Sequence, residues 1–332
     1  MKIRIGYLIV IIVFIWCVGC GSDDPNEPGT SPADNAYWVT RAPMPTPRQE
    51  IYPAILDNLI YFVGGFDSRI QTSAVTEVYD PATGTWFSAA DLPEARHHIT
   101  LAPLDGKMYA IGGFIVDVNT WSVMSDVFEY NPSTDTWTSR TSIPLPSGEH
   151  VAAVVDGRIY IIGGRDENLV DTGNCQRYNP STDTWTQRTS MPTPRNSSAV
   201  AVINSLIYVI GGRITNGGTI TNLDIVEAYS PVIDRWYTLT DMPEARGGLA
   251  AAALNGYIYV FGGESFSGGG GVYRNVLEYD PATDYWRIVN SMPTPRHGTE
   301  AVAVSDTIFV IGGADTPGAA AVGMNEGFVI PR

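Results

Sequence analysis

The sequence is short of the side chains on which metal, disulfide and nucleic-acid chemistry depend. Lysine occurs only at Lys2 and Lys107, and there are four histidines and three cysteines in 332 residues. Cys17 and Cys20 end an apolar segment and Cys175 stands alone, so no second CxxC and no Cys/His zinc spacing exists. Cys175 is expected to be a core thiol. Cationic charge is scarce: 20 Lys and Arg face 35 Asp and Glu, a net charge of −15. Without Lys2 and Arg4 the balance is 18 to 35, or −17. A surface of that sign repels phosphate backbones, which argues against a nucleic-acid partner. No G-x-S-x-G, P-loop or H-E-x-x-H motif is found. No cofactor or metal is expected.

What the chain does have begins with an address. A basic start, MKIRIG, precedes the apolar run YLIVIIVFIWCVG and then a Pro-, Gly- and Asp-rich stretch. This is the layout of a secretory signal, and the run falls short of the ~20 residues needed to span a bilayer. Val18-Gly19-Cys20 resembles a bacterial lipoprotein signal, with Cys17 where that family usually has Leu. The resemblance implies lipidation at Cys20, a signal peptide over 1–19 and a flexible tether over 20–36. It also implies an exported protein, held in the bacterial cell envelope by lipid alone. The alternative is a secreted protein.

Residues 37–332 are repetitive. A short β-rich run ends in Gly-Gly six times, with first glycines at 64, 112, 163, 211, 262 and 312. A Tyr-x-Pro turn followed by Trp recurs five times, from YDPATGTW (79–86) to YDPATDYW (279–286). A Pro-x-x-Arg element, such as MPTPR (44–48), occurs in every copy, with Ser147 replacing Arg once. Runs rich in Val, Ile, Tyr and Phe between turn residues predict four strands per copy. A period near 50 with Gly-Gly, Tyr and Trp resembles the kelch repeat. The resemblance implies an all-β, six-bladed kelch β-propeller with four antiparallel strands per blade. The sixth copy lacks its last strand and ends in NEGFVIPR, with Val329 in the Tyr position when the prolines are aligned. Trp38 precedes Trp86 by one period, so the N-terminal strand is expected to close the last blade.

Antiparallel strands place the Pro-x-x-Arg and post-Gly-Gly loops on one face, around the channel mouth. By resemblance to kelch proteins whose matching arginines bind acidic peptides, Arg48, Arg96, Arg195, Arg246 and Arg296 form a candidate anion-binding mouth. An arginine repeated in every blade can equally be scaffold, paired with neighbouring carboxylates and carbonyls. Residues that break the repeat nearby, His97, His98, Glu149, His150, His297 and Glu300, are candidates for specificity, and His97 and His98 are expected on opposite faces of one strand. Trp121, in the loop after the second Gly-Gly, is positioned either to stack on a ligand or to cap its blade. The loops at 213–224 and 264–275 are Gly- or Asn-rich and expected to be flexible.

No catalytic constellation is recognised. The functional expectation is a monomeric binding module for a protein, peptide or glycan. The alternative is a carbohydrate-active propeller enzyme, similar to a sialic-acid epimerase through channel-mouth Glu, His and Arg, or less closely to galactose oxidase, whose copper chemistry needs a Tyr–Cys pair and two His ligands.

Overall fold

The structure is a computed structural model that describes residues 31–331 apart from 118–119 and 267–269. The expected signal segment and the expected lipidation at Cys20 lie outside the described residues. The strands form six antiparallel blades, innermost strand first. Blade 1 runs Ala54–Leu56, Leu59–Val63, Thr76–Asp80, Thr85–Ala89; blade 5 runs Gly247–Leu254, Tyr257–Ser265, Asn275–Asp280, Tyr285–Ser291. The core is divided into six apolar clusters, one between each pair of neighbouring blades. Cys175 belongs to the cluster between blades 3 and 4, where burial pushes its thiol up to about 12 and makes it unreactive.

Three recurring contacts join the blades. The first explains Gly-Gly: the second glycine's N–H donates to the carbonyl of the next blade's Arg (or Ser147), from Gly65 to Arg96 (2.7 Å) round to Gly313 and Arg48 (2.9 Å). A Cβ on Gly64, at φ +70°, would lie 2.5 Å from the Arg96 oxygen. The second is the Trp indole, which donates to the previous blade's end, as in Trp137 to the Ala90 carbonyl at 2.8 Å. The third is the Asp two residues before that Trp. Asp135 accepts both the Ala90 N–H (2.7 Å) and the Tyr130 hydroxyl (2.7 Å), and Asp183, Asp234 and Asp284 repeat the arrangement.

Blade 1 has Gly84, and blade 6 Ala36, where the other four blades have this Asp. Gly84 sits at φ +72°, beside values of 51–55° for the four aspartates, and a Cβ there would stand 3.9 Å from the Tyr79 hydroxyl. Gly84→Asp is therefore expected to add the missing latch and stabilise the ring by about 0.5–1.5 kcal/mol, read as a higher denaturant midpoint. An unchanged or lower midpoint would show that the carboxylate contributes nothing at this interface.

Closure follows the sequence expectation. Tyr37–Thr40 pairs antiparallel with Asn325–Val329 as the outer strand of blade 6. The register corrects one detail: Trp38 faces Phe328, as Trp86 faces Tyr79, so Phe328 and not Val329 takes the Tyr position. The last turn holds one more residue before its proline, which is why aligning prolines shifted the register by one. The fold also begins earlier than the expected boundary at residue 37. Pro32–Asn35 form a 3-10 turn, Ala33 is buried in the cluster between blades 5 and 6, and Asn290 donates to the Ala36 carbonyl, so the folded part starts before residue 37.

Candidate functional site

The five arginines do not form a mouth. Each guanidinium is buried within its own blade and its contacts are with protein. Arg48 donates to the Gly64 and Val75 carbonyls and to Glu77 (2.7, 2.7 and 2.8 Å). Arg195 pairs with Glu227, and Arg296 with Glu326 at 2.8 Å. In blades 2 and 5 that inner-face glutamate is replaced by Phe128 and Leu277. There the arginine takes a glutamate two residues before itself: Arg96 pairs with Glu94 (2.8 Å) and Arg246 with Glu244 (2.5 Å), each guanidinium also lying over an aromatic ring, Phe128 or Tyr273. Blade 3 has Ser147 instead, bonded to the Gly163 carbonyl, with Gln176 holding the Leu145 backbone. A planar cation with five donors suits this work of tying strand ends together.

The mouth is built from the next two residues of each repeat and from the residue after Gly-Gly. The position two beyond the arginine has positive φ in all six blades: Glu50, His98, Glu149, Ser197, Gly248 and Gly298, at 49–65°. This turn points backbone N–H groups at the preceding blade's carbonyls: His98 to Glu50, Ser197 to Glu149, Gly248 to Ser197, Gly298 to Gly248. It also breaks strand alternation. His97 and His98, expected on opposite faces, instead have Nδ1 atoms 2.6 Å apart because His98 lies at φ +51°.

The ring is lopsided. Blades 1–3 present Glu50, His98 and Glu149, with His98 Nε2 2.9 Å from Glu50 and 3.4 Å from Glu149. Blades 4–6 present Ser197 and two glycines. A Cβ on Gly248 would sit 2.8 Å from the Arg213 guanidinium, and one on Gly298 2.6 Å from the Glu50 carboxylate, so these glycines leave room for side chains that reach across the channel. The residues after Gly-Gly pair with those after the arginine, and they supply Phe66, Phe114, Arg165, Arg213 and Glu264. Sequence reasoning missed this set, although setting the six copies side by side shows the position to run Phe, Phe, Arg, Arg, Glu, Ala, without the constancy of the motif before it. Arg165 reaches Glu149 (3.2 Å) and Asp171 (3.5 Å); Arg213 reaches Glu264 (3.1 Å), which His297 approaches at 3.4 Å. Glu50, His98, Glu149, Arg165, Arg213 and Glu264 line a cup of about 290 Å³, walled by Phe66, Trp121 and Phe266. Trp121 stands on a hairpin, Phe114–Asp117 with Thr120–Val123. The loop at 213–224 is likewise a hairpin turning on Gly217-Gly218, and so more ordered than its composition implied.

His150 is in the channel below the cup, donor and acceptor both spent on Ser147 and Thr100, and burial lowers it to about 4. Glu300 lines the same channel, where burial pushes its carboxyl up to about 8 despite bonds from the Ala251 and Ala301 amides. In the cup, burial opposes charge on His98, but Glu50 and Glu149 outweigh it and raise the imidazole above its usual value. Burial likewise opposes the Glu50 carboxylate, yet His98 holds it down to about 2. Burial and the His98 charge keep His97 neutral, at about 2. With His98 charged, its Nδ1–H donates to the His97 Nδ1 lone pair, an assignment required by two nitrogens that close.

Linkage then sets a pH window. The raised His98 value stabilises the fold fully below about 6.5, and the benefit fades as pH rises through the folded value. The depressed Glu50 value stabilises above about 4.5, and the benefit is lost as pH falls toward 2. Melting curves of His98→Gln against the parent are expected to differ most between about pH 5 and 6. A difference independent of pH would show that the charged triad does not form.

The described architecture is that of a six-bladed propeller of kelch type, whose cup is set at the channel mouth. The chain belongs to the Attractin/LZTR1 beta-propeller family, whose model matches residues 60–316. It is 34% identical over 155 residues to beta-scruin of Limulus polyphemus, covering 46% of this chain and 17% of that protein. It is 28% identical over 214 residues to Kelch repeat and BTB domain-containing protein 1 of Camelpox virus (strain CMS), covering 64% of this chain and 37% of that one. The chain thus spans well under half the length of these relatives. The solved structure of YjhT matches with a TM-score of 0.75 at 20% identity, over 86% of this chain and 95% of that one, a likeness of fold.

Proposed function

We propose that this chain is an exported, lipid-tethered recognition module that holds part of a protein, peptide or glycan in the cup at its channel mouth. One observation carries this: the residues that depart from the repeat, Glu50, His98, Glu149, Arg165, Arg213 and Trp121, converge on one concavity while the repeated residues are spent on the ring. Variation gathered on a rigid frame is how binding surfaces are commonly built, and kelch-type propellers commonly serve as interaction modules. The basic and apolar N-terminus, with Val18-Gly19-Cys20, supports export and a lipid anchor at Cys20.

A second reading, a carbohydrate-active enzyme of the epimerase type, draws on His98 between two carboxylates and on Glu300, held near 8 where a carboxyl can donate or accept a proton near neutrality. Screening the protein against envelope glycans, extracytoplasmic peptides and envelope proteins tests both. The expected result is a ligand whose affinity falls about 10-fold or more in Trp121→Ala and is unmoved in Arg96→Ala. Binding insensitive to Trp121→Ala would remove the cup from the proposal, and turnover of a bound sugar, lost in Glu149→Gln, would favour the enzyme.

A further inference from the structure

We infer that the cup takes one uncharged, pyranose-sized sugar residue, laid against the open face of Trp121 with hydroxyls directed at Glu50 and Glu149; this rests on the binding reading above. Three observations lead to it.

The first is the platform. Trp121 is 37% exposed, yet its ring packs against His97 (4.6 Å between centroids), Phe114 (5.3 Å), His98 (5.4 Å) and Phe66 (6.1 Å), the last two sharing the lining of the cup with it. An aromatic face fixed in place before binding offers apolar area at little entropic cost. The flat C–H face of a pyranose is the complement of such a ring, and its hydroxyl rim needs polar partners at the edge. Those partners stand beside the platform: His98, in contact with Trp121, is the residue bonded to Glu50 at 2.9 Å and ion-paired with Glu149 at 3.4 Å.

The second is charge. Three carboxylates line the cup, Glu50, Glu149 and Glu264, and three basic groups face them, His98, Arg165 and Arg213. A fourth carboxylate, Asp171, is occupied by Arg165, Asn196 and the Thr215 amide. Among the residues that line the cup the two signs are equal in number, with Asp171 beside Arg165 as the one further carboxylate. An anionic ligand would have to displace a glutamate from its arginine, and a cationic one would have to displace a base from its glutamate, at the cost of a desolvated charge losing its partner. A neutral polyol needs no such exchange, because each hydroxyl both donates and accepts. Glu149 has an acceptor to offer: its Oε2, buried, lies 3.2 Å from Arg165 Nε without a hydrogen bond of good geometry.

The third is size. At about 290 Å³ the cup is at the lower end of small-ligand sites, enough for one sugar ring and too small for an extended peptide.

The test is calorimetric titration of the full chain with methyl glycosides of neutral hexoses, with the matching uronic acids and with the matching 2-amino sugars. The expected result is binding of at least one neutral glycoside, with both charged analogues weaker by about 10-fold or more. Trp121→Ala should abolish the heat of binding, measured well below its own melting temperature, and Trp121→Tyr, which keeps the ring packing, should restore most of it. Charged analogues binding as tightly as the neutral sugar would overturn the inference. So would the absence of glycoside binding alongside Trp121-dependent binding of a peptide or envelope protein, which would leave the recognition reading standing. No Trp121-dependent binding of any ligand would overturn both.

Discussion

Deleting residues 36–43 is expected to lower the melting temperature of the whole ring by about 10 °C or more, in one transition. These residues form no blade of their own. They contribute Tyr37–Thr40 as the outer strand of blade 6, and the Ala42 carbonyl accepts both the Trp86 indole (2.9 Å) and Asn325 (3.0 Å). Trp38 packs on Phe328 and Phe261, with centroids at 5.0 and 5.9 Å, so the deletion strips an aromatic cover from the cluster between blades 5 and 6. Removing a fully buried Trp costs about 3–5 kcal/mol and half-buried Trp38 less, and the loss of four strand pairings and two seam bonds adds to it. In a closed ring every blade has two neighbours. Opening one seam exposes a sheet edge on blade 6 and frees the face of blade 1, and the loss is shared by all six. Trp38→Ala should show a smaller shift in the same direction. A deletion variant that melts with the parent would mean that blade 6 closes without its fourth strand, and the seam would have to lie elsewhere.

The ring was legible because its physics repeats. Gly-Gly, Tyr, Trp and the Asx-Pro turn recur where each blade must make the same close approach, the same stack and the same turn, so periodicity alone revealed blade number and closure. The site was legible only as a location. That His97 and His98 would sit side by side depends on a left-handed residue at 98, and nothing in the local pattern separates His98 from a residue in a regular strand. The arginines misled for the opposite reason. Their recurrence is conspicuous, but recurrence in a ring marks what every blade needs, and here that is a buried tie between strand ends. The loops after Gly-Gly were legible as loops, but which of their residues enter the mouth depends on the pairing of each first loop residue with the residue after the arginine. The two phenylalanines, two arginines and one glutamate at that first position are visible only when the six copies are compared position by position. Register at the seam was lost to a single extra residue before Pro331, where aligning on proline put Val329 in place of Phe328.

Glu77→Leu is expected to cost about 3–5 kcal/mol, because it leaves the Arg48 guanidinium fully buried with carbonyl partners but no carboxylate. Burial already lowers the Arg48 pKa, with Glu77 as the chief opposing influence, so the arginine cannot hold its charge there as comfortably without it. The molecule itself contains the remedy. Blade 5 has Leu277 at the position of Glu77 and places Glu244 two residues before its arginine, while Thr46, which now donates to Glu77 at 2.8 Å, holds the position of Glu244 in blade 1. Adding Thr46→Glu and Pro47→Ala to Glu77→Leu converts the blade 1 segment to the blade 5 arrangement and is expected to recover about half the loss or more, read from urea midpoints at constant slope. The recovery is partial because Glu244 is 35% exposed where Glu77 is 7%, and a wetter ion pair holds its arginine less firmly. Ligand binding in the cup should be the same in the parent and the rescued variant, since Arg48 and Glu77 are on the inside of the blade and take no part in lining it. If Glu77→Leu proved harmless, the bonds to the Gly64 and Val75 carbonyls would be holding Arg48 by themselves, and the carboxylate would contribute nothing to the tie.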